Sequence, residues 1–163
     1  MKFMLTIAAL CFVAATAHAQ TPTVQSIEVV EYGIYTADEQ NCQRTADGVL
    51  QCQRANIRHA TTTWSVPAQH GVQFGVRFRI LGSPEGARVA VKRIWRYPPG
   101  GVTPSATGAK IYQTSDMLQL PVGPTLFQSY IFDDPWELVP GPWTLELWQD
   151  GKLLLTRTFT VVR

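Results

Sequence analysis

Alternating apolar and polar side chains predict β-strands along most of the chain. In residues 72–80, valine, phenylalanine and isoleucine occupy every second position, and the intervening positions are glutamine, glycine and arginine. A period of two places one set of side chains in a core and the other in solvent. Related runs cover residues 24–35, 57–66, 87–97 and 126–132, and the phase of the first shifts near Val29 and Val30, which predicts a β-bulge.

The C-terminal end predicts a β-hairpin that turns at Asp150 and Gly151. A two-residue loop would place Glu146 opposite a leucine and divide the apolar set, because a one-residue slip moves every side chain to the other face. We therefore expect a three-residue loop ending at Gly151, with four leucines on one buried face and Trp148 on the opposite face. The expected leucine pairs are Leu147 with Leu153 and Leu145 with Leu155.

Seven or eight short strands, separated by turns rich in glycine and proline, predict an all-β fold with no helical pattern beyond the N-terminus. The expected architecture is an immunoglobulin-like sandwich of two antiparallel sheets. Trp95 lies late in the strand that follows residues 72–80, which is the position of the core tryptophan in immunoglobulin-like domains.

The first 19 residues have the pattern of a secretory signal peptide. Lys2 precedes an apolar run that ends in Ala17-His18-Ala19, so cleavage is expected after Ala19. The run is shorter than the about 20 residues that span a bilayer, and the bulky Leu10 before Cys11 argues against a lipoprotein site. The pattern is of bacterial type, so residues 20–163 are expected to be one exported domain, periplasmic or secreted, without a transmembrane segment.

Cys42 and Cys52 are predicted to form a disulfide in this oxidising location. A three-residue turn at residues 46–48 pairs residue 45 with residue 49 and, further out, the two cysteines with each other. In the chain-entropy model, closing so short a loop stabilises the fold by about 2–3 kcal/mol. The alternatives are two free thiols or a metal site, but no histidine pair lies at ligand spacing to complete a tetrahedral set.

Charge is nearly balanced overall but uneven along the chain. Without Lys2, 13 Lys and Arg residues stand against 12 Asp and Glu residues, which gives no global argument for nucleic acid or a membrane surface. Residues 77–96 hold six cations and one acid. Five of these cations should point outward from two successive strands. They form one basic stripe if the strands share a sheet, whereas the charge is split between two surfaces if the strands belong to different sheets. They are Arg77 and Arg79 on the first strand, and Arg88, Lys92 and Arg96 on the second.

The chain lacks a Gly-rich phosphate loop, a Gly-x-Ser-x-Gly elbow, a His-Glu-x-x-His helix and a Cys-x-x-Cys pair, so neither a cofactor nor a metal is expected. His70 lies in a Gln-His-Gly turn and is expected to be a surface residue, and a catalytic role for His59 or His70 would need a nearby nucleophile and an orienting carboxylate. Asp133, Asp134 and Glu137 form the densest acidic cluster. A calcium site or a carboxylate pair for glycoside cleavage would be functional interpretations, whereas a hydrogen-bonded turn at a strand end is the simpler one.

Three segments resemble an uncharacterised family of secreted proteins of Gram-negative bacteria, known only as a domain of unknown function. They are residues 31–35 (Glu-Tyr-Gly-Ile-Tyr), residues 71–75 (Gly-Val-Gln-Phe-Gly) and residues 137–144 (Glu-Leu-Val-Pro-Gly-Pro-Trp-Thr). The resemblance spans most of the chain after the signal peptide. It implies an immunoglobulin-like sandwich and an envelope location, and it offers no catalytic residues to transfer.

These observations predict a non-catalytic binding or structural module of the cell envelope. Its partner is expected to be an anionic envelope component, for which the bidentate arginine fork is suited, or another envelope protein. The predicted contact residues are the five outward cations and Trp148, since an exposed tryptophan stacks on sugars or fills a partner's pocket. The alternative is a small periplasmic hydrolase using the corner of Asp133, Asp134 and Glu137, which requires a deep pocket with convergent ionisable groups.

Overall fold

The computed structural model describes residues 21–44 and 50–163. The expected signal peptide, residues 1–19, and the turn expected at residues 46–48 lie outside the described residues, so both stay predictions. Close to the undescribed segment, some side chains also fall outside the description, namely Glu39, Cys42, Arg44, Leu50, Gln51 and Cys52.

The described residues form nine β-strands and one 3-10 turn, Pro135–Glu137. The count exceeds the expected seven or eight partly because the run at residues 57–66 divides into the end of one strand and the start of another. The strands are β1 (Thr23–Arg44), β2 (Leu50–Thr61), β3 (Ser65–Pro67), β4 (Gln73–Ser83), β5 (Arg88–Arg96), β6 (Gln113–Pro121), β7 (Thr125–Ile131), β8 (Gly141–Gln149) and β9 (Lys152–Val162).

Two sheets face each other, which confirms the predicted all-β sandwich. The four-stranded sheet has the order β2-β1-β4-β7, and the five-stranded sheet has the order β3-β9-β8-β5-β6. One strand pair departs from the expected antiparallel arrangement, because β3 runs parallel to β9. Residues 62–64 carry the chain from the edge of the first sheet to the edge of the second, where the short β3 arrives in the same direction as β9.

Aromatic side chains fill the space between the sheets. Trp95 is 4% exposed, as expected for the core tryptophan, and its ring meets Phe74 edge to face at 5.8 Å between centroids. Phe74 is fully buried and also contacts the rings of Phe132, Trp143 and Phe159. Each such aromatic pair adds about 0.5–1.5 kcal/mol to the stabilisation that comes from buried area.

The bulge expected in the first strand is present at Val30. In the pairing of β1 with β4, Val29 lies opposite Phe78 and Glu31 lies opposite Arg77, so Val30 has no partner residue. Its side chain is 50% exposed. The extra residue reverses the alternation of the strand, as a β-bulge does.

Beyond Tyr35, β1 leaves β4 and continues with β2 as a two-stranded extension, here called the β1–β2 arm (residues 36–44 and 50–58). The arm returns to the sandwich at two points. Arg54 binds the carboxylate of Asp133 at 2.8 Å, and Arg77 donates a hydrogen bond of 2.8 Å to the carbonyl of Ile57. The arm therefore lies against the outer face of the four-stranded sheet.

The predicted Cys42–Cys52 disulfide depends on the pairing register within this arm. Gln43 lies opposite Gln51, which is the register that the prediction assumes. Both cysteine side chains lie outside the described part of the structure, so the disulfide stays a prediction. Thiol titration of the folded chain tests it, and two reactive thiols would refute it.

The expected register of the C-terminal hairpin is wrong at its tip. Asp150 and Gly151 have φ angles of 47° and 78° and form a two-residue turn. Turns with two positive φ angles are favoured because their twist matches that of the flanking strands. Trp148 consequently pairs with Leu153, which is 41% exposed and lies on the face opposite the buried leucines.

A bulge at Leu154 then restores the buried face of the hairpin. Leu147 pairs with Leu155 and Leu145 pairs with Arg157, one position beyond the pairing that a continuous ladder would give. Leu145, Leu147 and Leu155 are buried as expected. The prediction excluded the two-residue loop because it assumed an unbroken ladder, and the bulge removes that assumption.

Candidate binding face

The five cations predicted to form a basic stripe are divided between the two sheets. Arg77 and Arg79 lie on β4 in the four-stranded sheet, whereas Arg88, Lys92 and Arg96 lie on β5 in the five-stranded sheet. Because the inner faces of the sheets meet at the core, outward side chains of β4 and β5 emerge on opposite sides of the sandwich. The single basic stripe does not form.

Arg77 has a structural role. Its guanidinium carbon lies 5.5 Å from the ring centroid of Tyr35 and 5.8 Å from that of Phe127. The same group pairs with Glu31 at 3.2 Å and donates to the carbonyl of Ile57. Cation–π contacts of this kind contribute about 0.5–2 kcal/mol. Arg77 therefore fastens the β1–β2 arm to the sheet.

Two further arginines bind neighbours on their own sheets. Arg79 Nε donates to the hydroxyl of Thr125 at 3.1 Å. Arg88 Nη2 donates to the carbonyl of Gln119 at 2.6 Å. Both side chains are exposed but already hold a partner within the fold.

An apolar row crosses the outer face of the five-stranded sheet. Strand pairing aligns Leu153 of β9, Trp148 of β8, Lys92 of β5 and Met117 of β6 side by side. Met117 is 64% exposed and Leu153 is 41% exposed. The ammonium of Lys92 has no partner in the described part of the chain, and its aliphatic stem continues the apolar surface. These four residues are called the Trp148 row.

A depression of about 510 Å³ lies over the row, within the range of about 300–1,000 Å³ that ligand pockets occupy. Ile94 contributes to its lining and is 6% exposed, although it lies on the outer face of the sheet. The remaining lining residues are Ala90, Lys92, Met117, Trp148, Asp150 and Gly151. The depression combines an indole, a thioether and aliphatic carbon with one cation, Lys92, and one carboxylate, Asp150.

Hydrogen bonds fix the indole of Trp148. Its N–H donates to the carboxylate of Glu146 at 2.8 Å, and Arg96 binds both oxygens of that carboxylate at 2.6 and 3.1 Å. Arg96 also donates to Gln113 at 2.7 Å. The hydrogen bond from Arg96 is the main cause of the lowered pKa of Glu146, and the indole bond adds to it. A side chain held in one rotamer loses less entropy when a partner binds.

The acidic corner is built as a turn. Glu137 is 7% exposed, and it accepts hydrogen bonds from the hydroxyl of Tyr130 at 2.7 Å and from the backbone N–H groups of Asp133 and Asp134 at 2.7 and 2.8 Å. Burial raises the pKa of Glu137, and these hydrogen bonds oppose the rise. Asp133 is paired with Arg54. This geometry matches the simpler interpretation and gives no support to a calcium or glycosidase site at the corner.

Among the described residues, no group of three or more His, Cys, Asp or Glu side chains is arranged to hold a metal ion. Within the same part of the chain, no helix is long and apolar enough to cross a bilayer.

His59 and His70 contact backbone carbonyl groups. His59 Nε2 lies 3.0 Å from the carbonyl oxygen of Tyr32, and its Nδ1 lies 3.7 Å from a carboxylate oxygen of Glu31. His70 is exposed, with Nε2 at 3.0 Å from the carbonyl oxygen of Asp133. The exposure of His70 agrees with the surface position expected for it.

Sequence reasoning missed the cluster around Tyr35. This side chain is 2% exposed on the outer face of the four-stranded sheet, where the rings of His59 and Phe127 and the guanidinium of Arg77 pack against it. Burial raises the pKa of its hydroxyl, and the charge of Glu31 adds to the rise. Alternation identifies Tyr35 as a strand residue. Its burial has no local signal in the sequence, because the residues that cover it are distant along the chain.

The comparisons with known proteins agree with this fold. A sequence model of the domain-of-unknown-function family DUF3859 matches residues 23–161. The chain belongs to this family. The DUF3859 chain is also similar to the crystal structure of an immunoglobulin-like protein from Pseudomonas aeruginosa, with 26% sequence identity, coverage of 90% of this chain and 99% of that chain, and a TM-score of 0.59. A comparison with curated proteins finds no match.

Proposed function

We propose that this DUF3859 chain is a secreted, non-catalytic binding module of the cell envelope, and that the Trp148 row is its contact surface. The observation that carries the proposal is the depression of about 510 Å³ beside an indole held by hydrogen bonds. The proposed partner is another envelope protein that inserts an apolar side chain into this depression.

The chemistry of the face favours a protein partner over an anionic envelope component. Arg77, Arg79, Arg88 and Arg96 bind groups within the fold, so Lys92 is the cation of the predicted set that faces the depression. An apolar surface with one ammonium and one carboxylate at its border suits a partner whose apolar anchor has polar neighbours. Tryptophan and methionine are enriched at protein interfaces, where a few buried side chains supply most of the affinity.

Capture experiments with matched variants test this surface. The immobilised domain is exposed to a periplasmic extract of the source organism, and the retained proteins are compared between the unsubstituted chain, Trp148→Ala and Leu81→Ala. Leu81 is 39% exposed and lies on β4 in the other sheet, so it controls for the loss of an exposed apolar side chain. We expect Trp148→Ala to weaken retention at least about tenfold, as hot-spot truncations do, and Leu81→Ala to leave it unchanged.

An equal retention by all three proteins would contradict the proposed surface. Trp148→Phe extends the test, because phenylalanine keeps an aromatic ring but lacks the N–H that donates to Glu146. If pre-organisation contributes, this variant should bind with an intermediate affinity.

The secreted location is supported by the N-terminal pattern of residues 1–19. The full chain, expressed in a Gram-negative host, should be recovered from the periplasm with Gln20 as its first residue. Recovery from the cytoplasm with an intact N-terminus would refute this part of the proposal.

A further inference from the structure

The outer edge of β6 carries unpaired backbone groups. In antiparallel sheets, hydrogen-bonded residue pairs alternate with pairs whose N–H and C=O groups point away from each other. Tyr97 N–H donates to the Tyr112 carbonyl, and Val122 N–H donates to the Ala87 carbonyl, both at 2.9 Å. Even-numbered residues of β6 therefore bond to β5. Odd-numbered residues direct their N–H and C=O groups to the open edge, and these are Gln113, Ser115, Met117 and Gln119.

Side chains and loops close this edge at both ends. At one end, Arg88 occupies the carbonyl of Gln119. At the other end, the N–H and C=O groups of Ile111 are both bonded to Val102. Between these points, no backbone hydrogen bond within the described chain reaches the outward groups of three successive odd-numbered residues, Gln113, Ser115 and Met117.

We propose that two copies of this chain pair through β6, antiparallel, with the twofold axis at Ser115. This register places Ser115 opposite its own copy and Gln113 opposite Met117 of the second copy. Every free N–H and C=O of the three residues then meets an acceptor or donor, and no group already used by Arg88 or Val102 is required. A strand edge that satisfies itself in this way is an isologous interface.

The side chains around the edge fit the same register. Met117 and Tyr112 are 64% and 57% exposed, the largest exposed fractions among the large apolar side chains of the described residues. Pairing at Ser115 brings Tyr112 opposite Leu118 of the second copy and covers Met117 with Gln113. Asp116 comes opposite Thr114, so no like charges face each other, and Asp116 keeps its ion pair with Arg93 on its own chain.

Two other symmetric registers are less suitable. An axis at Asp116 would bring the two Asp116 carboxylates opposite each other, which is destabilising across strands. An axis at Met117 would require the backbone of Gln119, whose carbonyl is bound by Arg88. A strand from a different protein is the competing occupant of this edge, and the mixing of oppositely charged variants described below distinguishes it from a second copy.

The pairing and the proposed ligand surface share one residue, Met117. The other three residues of the Trp148 row lie on strands that the pairing does not touch, so ligand binding does not require the dimer. One strand pairing buries less than the roughly 1,200 Å² of a stable interface. The dimer should therefore be weak, with a dissociation constant of about 10–300 µM.

Sedimentation or light scattering from about 10 µM to about 1 mM tests the dimer. Ser115→Pro removes the central N–H donor, but it breaks no bond to β5, because that N–H points to the open edge. Ser115→Ala keeps the donor and serves as the matched control. We expect Ser115→Pro to raise the dissociation constant at least about tenfold and Ser115→Ala to leave it unchanged.

Charge variants at Ser115 test the same dimer if Ser115→Pro fails to fold. Ser115→Asp and Ser115→Lys each place like charges on the twofold axis, so each should be monomeric alone. Mixing the two should restore the dimer. Equal dimerisation of the separate and mixed variants, or a monomeric unsubstituted chain at about 1 mM, would overturn the proposal.

Cross-linking fixes the register. Facing Ser115 residues would have Cα atoms about 5.5 Å apart, within the disulfide range, so Ser115→Cys should form a disulfide dimer on mild oxidation. Gln119 residues would lie about 27 Å apart in this register, so Gln119→Cys should not. The unsubstituted chain, with its own cysteines, gives the baseline. Equal yields from Ser115→Cys and Gln119→Cys would exclude the register.

Discussion

At the scale of single residues, Glu137 shows how one carboxylate determines the shape of a corner. It accepts two backbone N–H groups and the hydroxyl of Tyr130, all between 2.7 and 2.8 Å. Buried donors without partners cost about 1–3 kcal/mol each. Within the acidic cluster, the carboxylate of Glu137 therefore stabilises the turn through hydrogen bonds.

Substitution of Glu137 should reveal this role. Glu137→Ala leaves the three donors without a partner and should lower the free energy of unfolding by at least about 2 kcal/mol. Glu137→Gln keeps an acceptor for the backbone N–H groups, and the hydroxyl of Tyr130 can accept from the amide, so its cost should be smaller. Urea denaturation measures both variants, and equal costs would contradict the hydrogen-bonding account.

The pH dependence has a definite sign. Burial raises the pKa of Glu137 above its ordinary value of 4.5, so its stabilising contribution is full below that value and is lost as pH rises through the raised pKa. The Gln variant does not titrate at this position. Its stability relative to the unsubstituted chain should therefore increase between about pH 4 and about pH 7. A relative stability that falls over this interval would show that the pKa of Glu137 is lowered instead.

At the scale of elements, alternation identified strands well where the local ladder is regular. β4 and the bulge at Val30 both follow from the side-chain pattern near them. The register of the hairpin of β8 and β9 was predicted wrongly because Leu154 forms a bulge. Residues 153, 154 and 155 are all leucines, so the sequence does not show which of them is the unpaired residue. The pairing within the β1–β2 arm has the register that the expected turn at residues 46–48 predicts, but its contact with Arg77 was not predicted, because that contact joins distant parts of the chain.

Two leucines distinguish the registers of this hairpin. Leu145 is fully buried, so Leu145→Ala should cost about 2–5 kcal/mol of unfolding free energy. Leu153 is 41% exposed, so Leu153→Ala should change stability by no more than about 0.5 kcal/mol. Chemical denaturation of the two variants measures both changes. Similar losses of unfolding free energy would support the register with the three-residue loop instead.

At the scale of the whole molecule, sheet membership decided which candidate surface exists. The sequence places five cations on two successive strands, but only the three-dimensional order of the strands shows that β4 and β5 belong to different sheets. Trp148, in contrast, was correctly expected on the outer face of its hairpin, because alternation within one strand is sufficient. Its neighbours Lys92 and Met117 come from other strands, so the depression itself was beyond local reasoning.

Site-specific photo-cross-linking tests the proposed contact surface most directly. A photoreactive amino acid replaces Lys92 at the depression or Arg79 on the outer face of the other sheet, both in a Ser115→Pro background that removes self-pairing. Both positions are exposed and on central strands, so each controls for the other. After irradiation in periplasmic extract, the Lys92 position should yield an adduct with another envelope protein and the Arg79 position should not. An adduct at Arg79 with none at Lys92 would contradict the account.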